Sequence, residues 1–179
     1  MSTPEVLLAV LRRGPAHGYD LKRDHDEWFP DGRPLAYGQV YSTLARLERD
    51  GLVEVVETRT EGGPERTVYA VTEAGEAHVQ TWLSDPAPAG GRSTEEIVSK
   101  AIAALRTGAD PAPFLVAQRA AHLRRMRALA DEPVADPVAG LARDHLVAHL
   151  DADLRWLDLA VARTSQATTN PAAPVGGTR

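Results

Sequence analysis

The stretch YGQVYSTLARLERDGLV, residues 37–53, predicts an amphipathic helix that ends at Gly51 and leads directly into a β-strand. Its apolar side chains recur at helical spacing and so share one buried face: Val40, Leu44 and Leu47. The other face is polar: Gln39, Ser42, Thr43, Arg46 and Arg49. A glycine just past a helix favours the left-handed conformation that ends it. We therefore expect a short helix that presents hydrogen-bonding groups outward.

The polar face of this helix has the composition of a surface that binds DNA. Gln and Arg can hold the edge of a base through two hydrogen bonds, whereas Ser and Thr suit phosphates or either groove edge. Lys and Glu, the usual residues of a solvated helix face, are scarce here. Arg46 and Gln39 are the foremost candidates, and Tyr41, between the two faces, is expected to reach a phosphate with its hydroxyl. The alternative is an ordinary solvent-exposed face.

The neighbouring segments predict the order helix, helix, helix, hairpin, helix. The first helix opens at Thr3-Pro4, and the second covers about residues 18–28, with Tyr19 facing inward. Two strand-like runs, 53–60 and 66–71, form the hairpin, and a further helix follows it. This is the order of a winged helix-turn-helix domain, in which the third helix enters the major groove and the hairpin, called the wing, lies along the backbone or minor groove.

The charge of the N-terminal half bears directly on the DNA interpretation. Arg59 and Arg66 flank the turn of the wing and are expected to contact phosphates. Residues 1–83 nevertheless contain nine Lys and Arg against fourteen Asp and Glu. Because DNA-binding proteins usually carry a basic footprint, any such footprint here must be local, and non-specific binding should be weak. A winged-helix module that binds a protein rather than DNA therefore stays open as the alternative.

The C-terminal half predicts a separate helical domain. A Pro/Ala/Gly-rich linker, 84–92, follows the first domain at 1–83, and three helices follow over 93–164. The small and polar residues 165–179 are expected to be disordered. The last helix has more apolar surface than two short partners would cover, so we expect a homodimer. The fold class is thus mainly α, with a two-stranded β wing and a three-helix dimerisation domain.

Composition excludes several classes of site and location. The chain has no cysteine, which excludes disulfides, thiolate metal sites and thiol nucleophiles. No apolar run is long enough for a signal peptide or a membrane span, so a cytoplasmic location without membrane contact is expected. We see no Ser-His-Asp arrangement and no Gly-rich phosphate loop, and we therefore expect no enzyme activity and no cofactor.

Two further groups of residues are candidates for binding small ligands. His145 and His149 are four residues apart on one helix, a spacing that can hold the metal of a hydrolase, but a solvated or interface pair without metal is preferred. The three tryptophans are candidates for lining a pocket for a small aromatic effector: Trp28, Trp82 and Trp156. Ordinary core packing is the alternative for each of them.

The sequence resembles the PadR-type transcriptional regulators from Val6 to about Leu83. The opening motif of that family is matched by Leu7-Leu8, Gly14-Pro15 and His17-Gly18-Tyr19-Asp20-Leu21. The recognition helix is matched by Gly38-Gln39-Val40-Tyr41, Arg46-Leu47-Glu48 and Asp50-Gly51-Leu52-Val53. The wing and the next helix are matched by Gly63-Pro64-Glu65-Arg66, Tyr69 and Thr72-Glu73-Ala74-Gly75.

This resemblance implies a dimeric regulator that binds duplex DNA, most often as a repressor, and is released by a small molecule or stress signal. Tyr41 and the polar residues beside it would contact the operator, and the arginines of the wing would contact its backbone. The C-terminal half is similar, in pattern only, to the helical dimerisation domain of the longer members of the family.

Overall fold

The fold is described from a computed structural model, for residues 2–30, 32–59, 66–90, 93–133 and 136–169. It is mainly α-helical with one small antiparallel sheet, which confirms the expected fold class. The elements in chain order are α1 Thr3–Leu11, β1 Ala16–His17, α2 Gly18–Trp28, α3 Tyr37–Arg49, β2 Val53–Arg59, β3 Arg66–Val71, α4 Glu73–Ser84, α5 Ser93–Arg106, α6 Ala112–Asp131 and α7 Pro137–Thr169.

The sheet has three strands rather than the two expected from the sequence. β3 lies in the middle, with β2 on one side and β1 on the other. In β1, Ala16 and His17 pair with Tyr69 and Val68 of β3. A strand of two residues is too short to show an alternating pattern, so the sequence could not reveal it. The turn of the wing, residues 60–65, lies outside the described part of the chain.

The chain divides into two compact units: Met1–Asp85 with Val98–Ala109, and Pro86–Ile97 with Asp110–Arg179. These units do not coincide with the expected domains 1–83 and 93–164, because the second part of α5 groups with the first unit. Ala103 and Ala104 of α5 are buried in the same hydrophobic cluster as α1, and this burial explains the grouping.

The core of the first unit is built around α1. Six consecutive residues of α1, from Val6 to Leu11, are buried, so this helix is covered on all sides. Val40, Leu44 and Leu47 of α3 belong to the same cluster. The buried face expected for α3 is therefore present, and it fixes which side of the helix points away from the core.

The start of α4 is packed closely against the end of α3. The hydroxyl of Thr72 accepts a hydrogen bond from the Gly75 N–H at 3.1 Å and donates one to the Gly51 carbonyl at 2.7 Å. A Cβ atom at Gly75 would lie 2.0 Å from the carbonyl oxygen of Leu52. Only glycine fits at this position without a shift of the backbone.

In the second unit, α7 packs along α6 around a buried polar network. Gln118 and His122 of α6 are fully buried. The amide of Gln118 donates to the Ala87 carbonyl at 2.9 Å and accepts from the Ala87 N–H at 2.7 Å. His122 Nε2 lies 3.3 Å from Asp153 Oδ2, and the Thr94 hydroxyl donates to Asp153 Oδ1 at 3.1 Å. The network therefore joins α5, α6 and α7 within this unit.

The last helix is longer than expected. α7 continues to Thr169, whereas the helical domain expected from the sequence ended at residue 164. Residues 170–179, the rest of the expected disordered tail, lie outside the described residues. None of the helices in the described ranges combines the length and the apolar character needed to cross a membrane.

Candidate nucleic-acid interface

An exposed polar stripe runs along α3. Gln39, Ser42 and Arg46 are spaced i, i+3, i+7, so they lie on one side of the helix, and all three are exposed. The opposite side carries the buried leucines and Val40 described above. We call Gln39, Ser42 and Arg46 the polar stripe. Because the apolar side is fixed in the core, the stripe has a defined outward direction.

Thr43 does not belong to the polar stripe, and its expected place on the exposed face is wrong. Its side chain is only 7% exposed. The Thr43 hydroxyl donates to the carbonyl of Gln39, one turn earlier, at 2.7 Å. A threonine can therefore lie on the buried side of a helix, because the backbone satisfies its hydroxyl.

The two arginines of α3 differ in their surroundings. Arg46 is exposed and forms no hydrogen bond or ion pair with another residue of the described ranges. The Nε atom of Arg49 lies 3.6 Å from Asp50 Oδ1, and both side chains are more than half exposed. Such an exposed pair holds its partners weakly. Arg46 is thus free to meet a ligand, whereas Arg49 has a neighbouring carboxylate that competes for it.

Tyr41 connects α3 to the start of α2. Its side chain is 48% exposed, as expected for a residue between the two faces. Its ring lies against the backbone of Gly18, since a Cβ atom there would be 2.7 Å from Tyr41 Cε1. The ring is therefore positioned by a close approach that a larger residue at Gly18 would disturb.

Two further tyrosines are exposed beside Tyr41. Tyr19 of α2 was expected in the core, but it is 58% exposed, so that expectation is wrong. Its ring stacks on that of Tyr37, the first residue of α3, with centroids 5.9 Å apart and planes 14° from parallel. The Lys22 ammonium lies 5.2 Å from the centre of the Tyr37 ring. Sequence reasoning missed this group because the stacking depends on how α2 and α3 pack.

The three aspartates of α2 lie near basic side chains of the protein itself. Each aspartate pairs with a basic side chain: Asp20 with Arg23 at 3.0 Å, Asp24 with Arg13 at 3.7 Å and Asp26 with Lys22 at 2.6 Å. These pairs are partly exposed and contribute little to stability. They do reduce the negative field that α2 would otherwise project near α3. Asp31, a further acid of this region, lies outside the described residues.

Asp26 and His25 hold the connection between α2 and α3. Desolvation would raise the pKa of Asp26, but hydrogen bonds from Lys22, the Leu35 N–H and His25 outweigh it and lower the pKa below its usual value. Burial lowers the pKa of His25, which is 1% exposed. Its Nδ1 atom lies 3.1 Å from Asp26 Oδ1, and its buried Nε2 atom has no hydrogen-bond partner in the described ranges.

The wing brings Arg59 and Arg66 to adjacent positions. They are direct partners across the β2–β3 ladder, at its outer end. Cα partners in an antiparallel pair lie about 4.5–5.5 Å apart. The positions of their side chains lie outside the described part of the structure. The backbone alone thus places two cationic residues side by side where the wing turns.

The three tryptophans fall into different surroundings. Trp28 and Trp82 belong to the hydrophobic core of the first unit and are 4% and 9% exposed. Trp156 lies on α7 in the second unit and is 36% exposed. Core packing, the alternative to an effector pocket, therefore describes Trp28 and Trp82 better. Trp156 remains a candidate for contact with a ligand.

His145 and His149 of α7 lie close to each other. The Nε2 atoms of His145 and His149 lie 3.1 Å apart, and both side chains are exposed. Within the described ranges, no group of three or more His, Asp or Glu side chains is arranged to hold a metal ion. The hydrolase hypothesis therefore lacks a third ligand among these residues.

Comparison with known proteins identifies relatives of this chain. The transcriptional regulator PadR-like family matches residues 7–81. The chain is 27% identical, over 152 residues, to the probable transcriptional regulator Rv1176c of Mycobacterium tuberculosis, a match that covers 78% of this chain and 80% of that protein.

Several solved structures are also similar to this chain. Bacillus subtilis PadR in complex with operator DNA is 20% identical and covers 89% of this chain and 98% of its own, with a TM-score of 0.46. The same protein in complex with p-coumaric acid is 19% identical, with coverages of 90% and 97% and a TM-score of 0.41. Vibrio cholerae virulence activator AphA is 21% identical, with coverages of 92% and 99% and a TM-score of 0.40.

The family match covers the helices α1 to α4 and the sheet, which is the part of the chain that carries the polar stripe and the wing. Residues 7–81 of this chain are thus similar to the transcriptional regulator PadR-like family.

Proposed function

We propose that this chain is a homodimeric, sequence-specific DNA-binding repressor that inserts α3 into the major groove. The polar stripe carries the proposal: Gln39, Ser42 and Arg46 point outward from a helix whose other side is fixed in the core. Side chains of these types can read base edges or bind phosphates. Arg46 is the residue we assign to a base, and Gln39 lies nearer the start of the helix, which points deepest into the groove.

The charge distribution supports DNA over a protein partner, despite the acidic excess of the N-terminal half. The aspartates of α2 pair with their own basic neighbours, whereas Arg46 has no such partner in the described ranges. Adjacent arginines at the outer end of the wing add a local positive charge, and we assign Arg59 and Arg66 to phosphates. Tyr41 and Arg49 complete the proposed contacts, and Thr43 is left out because it is buried.

Exposed apolar residues of the second unit support a homodimer. Val138 and Leu141 are 76% and 73% exposed at the start of α7, and Leu159 is 58% exposed further along it. Burial of such side chains against a second copy removes apolar surface from water. A two-fold dimer would place two recognition helices on an inverted repeat, with half-sites about 34–36 Å apart, or a multiple of that distance.

A small aromatic effector is part of the proposal. The resemblance to PadR-type regulators supports it, and Trp156 offers exposed aromatic surface in the second unit. Such a ligand would act by favouring a dimer in which the two recognition helices have a different separation. It can shift that equilibrium only by the difference between its affinities for the two states.

The proposal is tested by selecting duplexes from a randomised DNA library with the full-length protein. We expect enrichment of an inverted repeat, bound by two copies of the chain as measured by light scattering of the complex. A mobility shift on the DNA upstream of the chain's own coding sequence gives an independent check. Recovery of no shared sequence, together with no shift, would contradict the proposal and favour the protein-binding module.

A further inference from the structure

The exposed tyrosines Tyr19, Tyr37 and Tyr41 lie near the starts of α2 and α3, and we call these three residues the tyrosine patch. Tyr19 and Tyr37 stack on each other, and Tyr41 covers the Gly18 backbone immediately before Tyr19. All three side chains are about half exposed. The patch is therefore an ordered aromatic surface at the beginning of both α2 and α3.

The patch borders the polar stripe on one side. On a helical projection at 100° per residue, Tyr37 and Tyr41 fall between the buried side of α3 and the side that holds Ser42 and Arg46. Tyr19 extends this border onto α2. A helix that reads bases in the major groove is flanked by the two sugar–phosphate backbones, so residues beside its reading face meet phosphates.

The chemistry of the patch suits phosphate oxygens. A tyrosine hydroxyl is a neutral donor at pH 7, and a hydrogen bond to an anionic oxygen is stronger than one between neutral groups. Stacking fixes the rings in advance, which lowers the entropy lost when they bind. Lys22 is paired with Asp26 at 2.6 Å and adds little net charge here. The patch can thus bind a backbone without contributing positive charge.

We propose that the tyrosine patch is a phosphate-binding surface that positions α3 in the groove through neutral hydrogen bonds, with Tyr19 and Tyr37 as its previously unassigned members. This inference rests on the proposed DNA-binding function. It also explains how a domain with an acidic excess could bind a polyanion. Part of the binding affinity would come from hydroxyl groups rather than from ammonium or guanidinium groups. Such contacts release no counterions, so they add affinity without adding salt dependence.

The test uses the full-length protein and its selected operator. Tyr19→Phe, Tyr37→Phe and the double variant keep the rings and remove the hydroxyls. Dissociation constants are measured by fluorescence anisotropy over a range of salt concentrations, on the operator and on a scrambled duplex. We expect each hydroxyl to contribute roughly threefold to tenfold in affinity, equally on both duplexes, with an unchanged slope of log affinity against log salt concentration.

Two comparisons give the test its controls. Arg66→Ala should weaken binding and flatten the salt slope by about one unit, since it removes a charged phosphate contact. Ser84→Ala, which removes an exposed hydroxyl at the end of α4, outside both the patch and the wing, should leave binding unchanged. Wild-type affinity in both Tyr→Phe variants, or a change in slope like that of Arg66→Ala, would overturn the inference while leaving the proposed function intact. If the wild-type protein binds no duplex, both are overturned.

Discussion

Gly18, the first residue of α2, lies directly beneath the ring of Tyr41 on α3. A Cβ atom at Gly18 would be 2.7 Å from Tyr41 Cε1 and 3.3 Å from its hydroxyl oxygen. α2 and α3 therefore touch at a position where α2 has no side chain. This contact fixes the Tyr41 ring at the edge of the polar stripe, and it can be changed by a single methyl group.

Gly18→Ala should displace Tyr41 without unfolding the domain. The clash involves the outer part of a half-exposed ring, which can move, and alanine favours the helix more than glycine does. We expect operator affinity to fall about threefold to tenfold, the effect of one lost hydrogen bond, with a near wild-type melting temperature. Tyr41→Phe should have a similar effect, and the double variant should lose no more than either alone. Additive losses would show that Gly18 acts independently of Tyr41.

Arg46→Ala should weaken operator binding by about 1–3 kcal/mol and relax the preference at one operator position. Arg46 is exposed and free of partners in the described ranges, so its removal should not disturb the fold. Library selection with the variant measures the change in preference. Arg127→Ala, which removes an exposed arginine of α6, is the charge-matched control. A sequence profile identical to that of the wild type would remove Arg46 from the base-reading residues.

Gly75→Ala should destabilise the first unit strongly. The added Cβ would lie 2.0 Å from the Leu52 carbonyl oxygen, and a backbone atom cannot move aside as a flexible side chain can. We expect a loss of about 1–3 kcal/mol or more in the free energy of unfolding, measured by urea denaturation. Gly38→Ala is the matched control, since no atom lies within 4 Å of its Cβ position. It should be neutral or stabilising by up to about 1 kcal/mol. Equal stabilities of the two variants would contradict the close packing of α4.

Acidification should destabilise the wild-type protein partly through His25. Because burial lowers its pKa in the folded state, the unfolded state takes up the proton first, near the ordinary value of 6.5. At pH values above about 6.5, His25 is neutral in both states and its contribution to stability is complete. This contribution is lost as the pH falls from 6.5 towards the lower pKa that His25 has in the folded protein. Melting temperatures between pH 7.5 and 5.5 should fall less steeply in His25→Phe than in the wild type. Parallel curves would mean that His25 titrates alike in both states.

Much of the arrangement of α3 could be predicted from sequence because this helix is amphipathic. The spacing of Val40, Leu44 and Leu47 identified the buried side of α3, and with it the outward direction of Arg46. The prediction for Thr43 was wrong because a polar residue type favours an exposed position. The Thr43 hydroxyl instead donates to the Gln39 carbonyl, so the side chain can be buried without an unsatisfied polar group.

The features that the sequence did not predict depend on contacts between residues that are far apart along the chain. β1 exists only through its pairing with β3, some fifty residues later in the chain. Tyr19 has the apolar bulk of a core residue, and its stacking on Tyr37 follows from how α2 and α3 pack. The place of Ala103 and Ala104 in the first unit likewise follows from packing and carries no local signal.

The Gln118 side chain forms hydrogen bonds with both the N–H and the carbonyl of Ala87. Ala87 itself is only 2% exposed. Ala87 belongs to the Pro/Ala/Gly-rich segment 84–92, whose composition predicts a linker. A linker normally accepts inserted or deleted residues with little effect. Because a buried side chain holds the backbone at Ala87, we expect this position to tolerate insertions poorly. A residue inserted immediately beside Ala87 should therefore destabilise this unit, because it would leave the buried Gln118 amide without its partners.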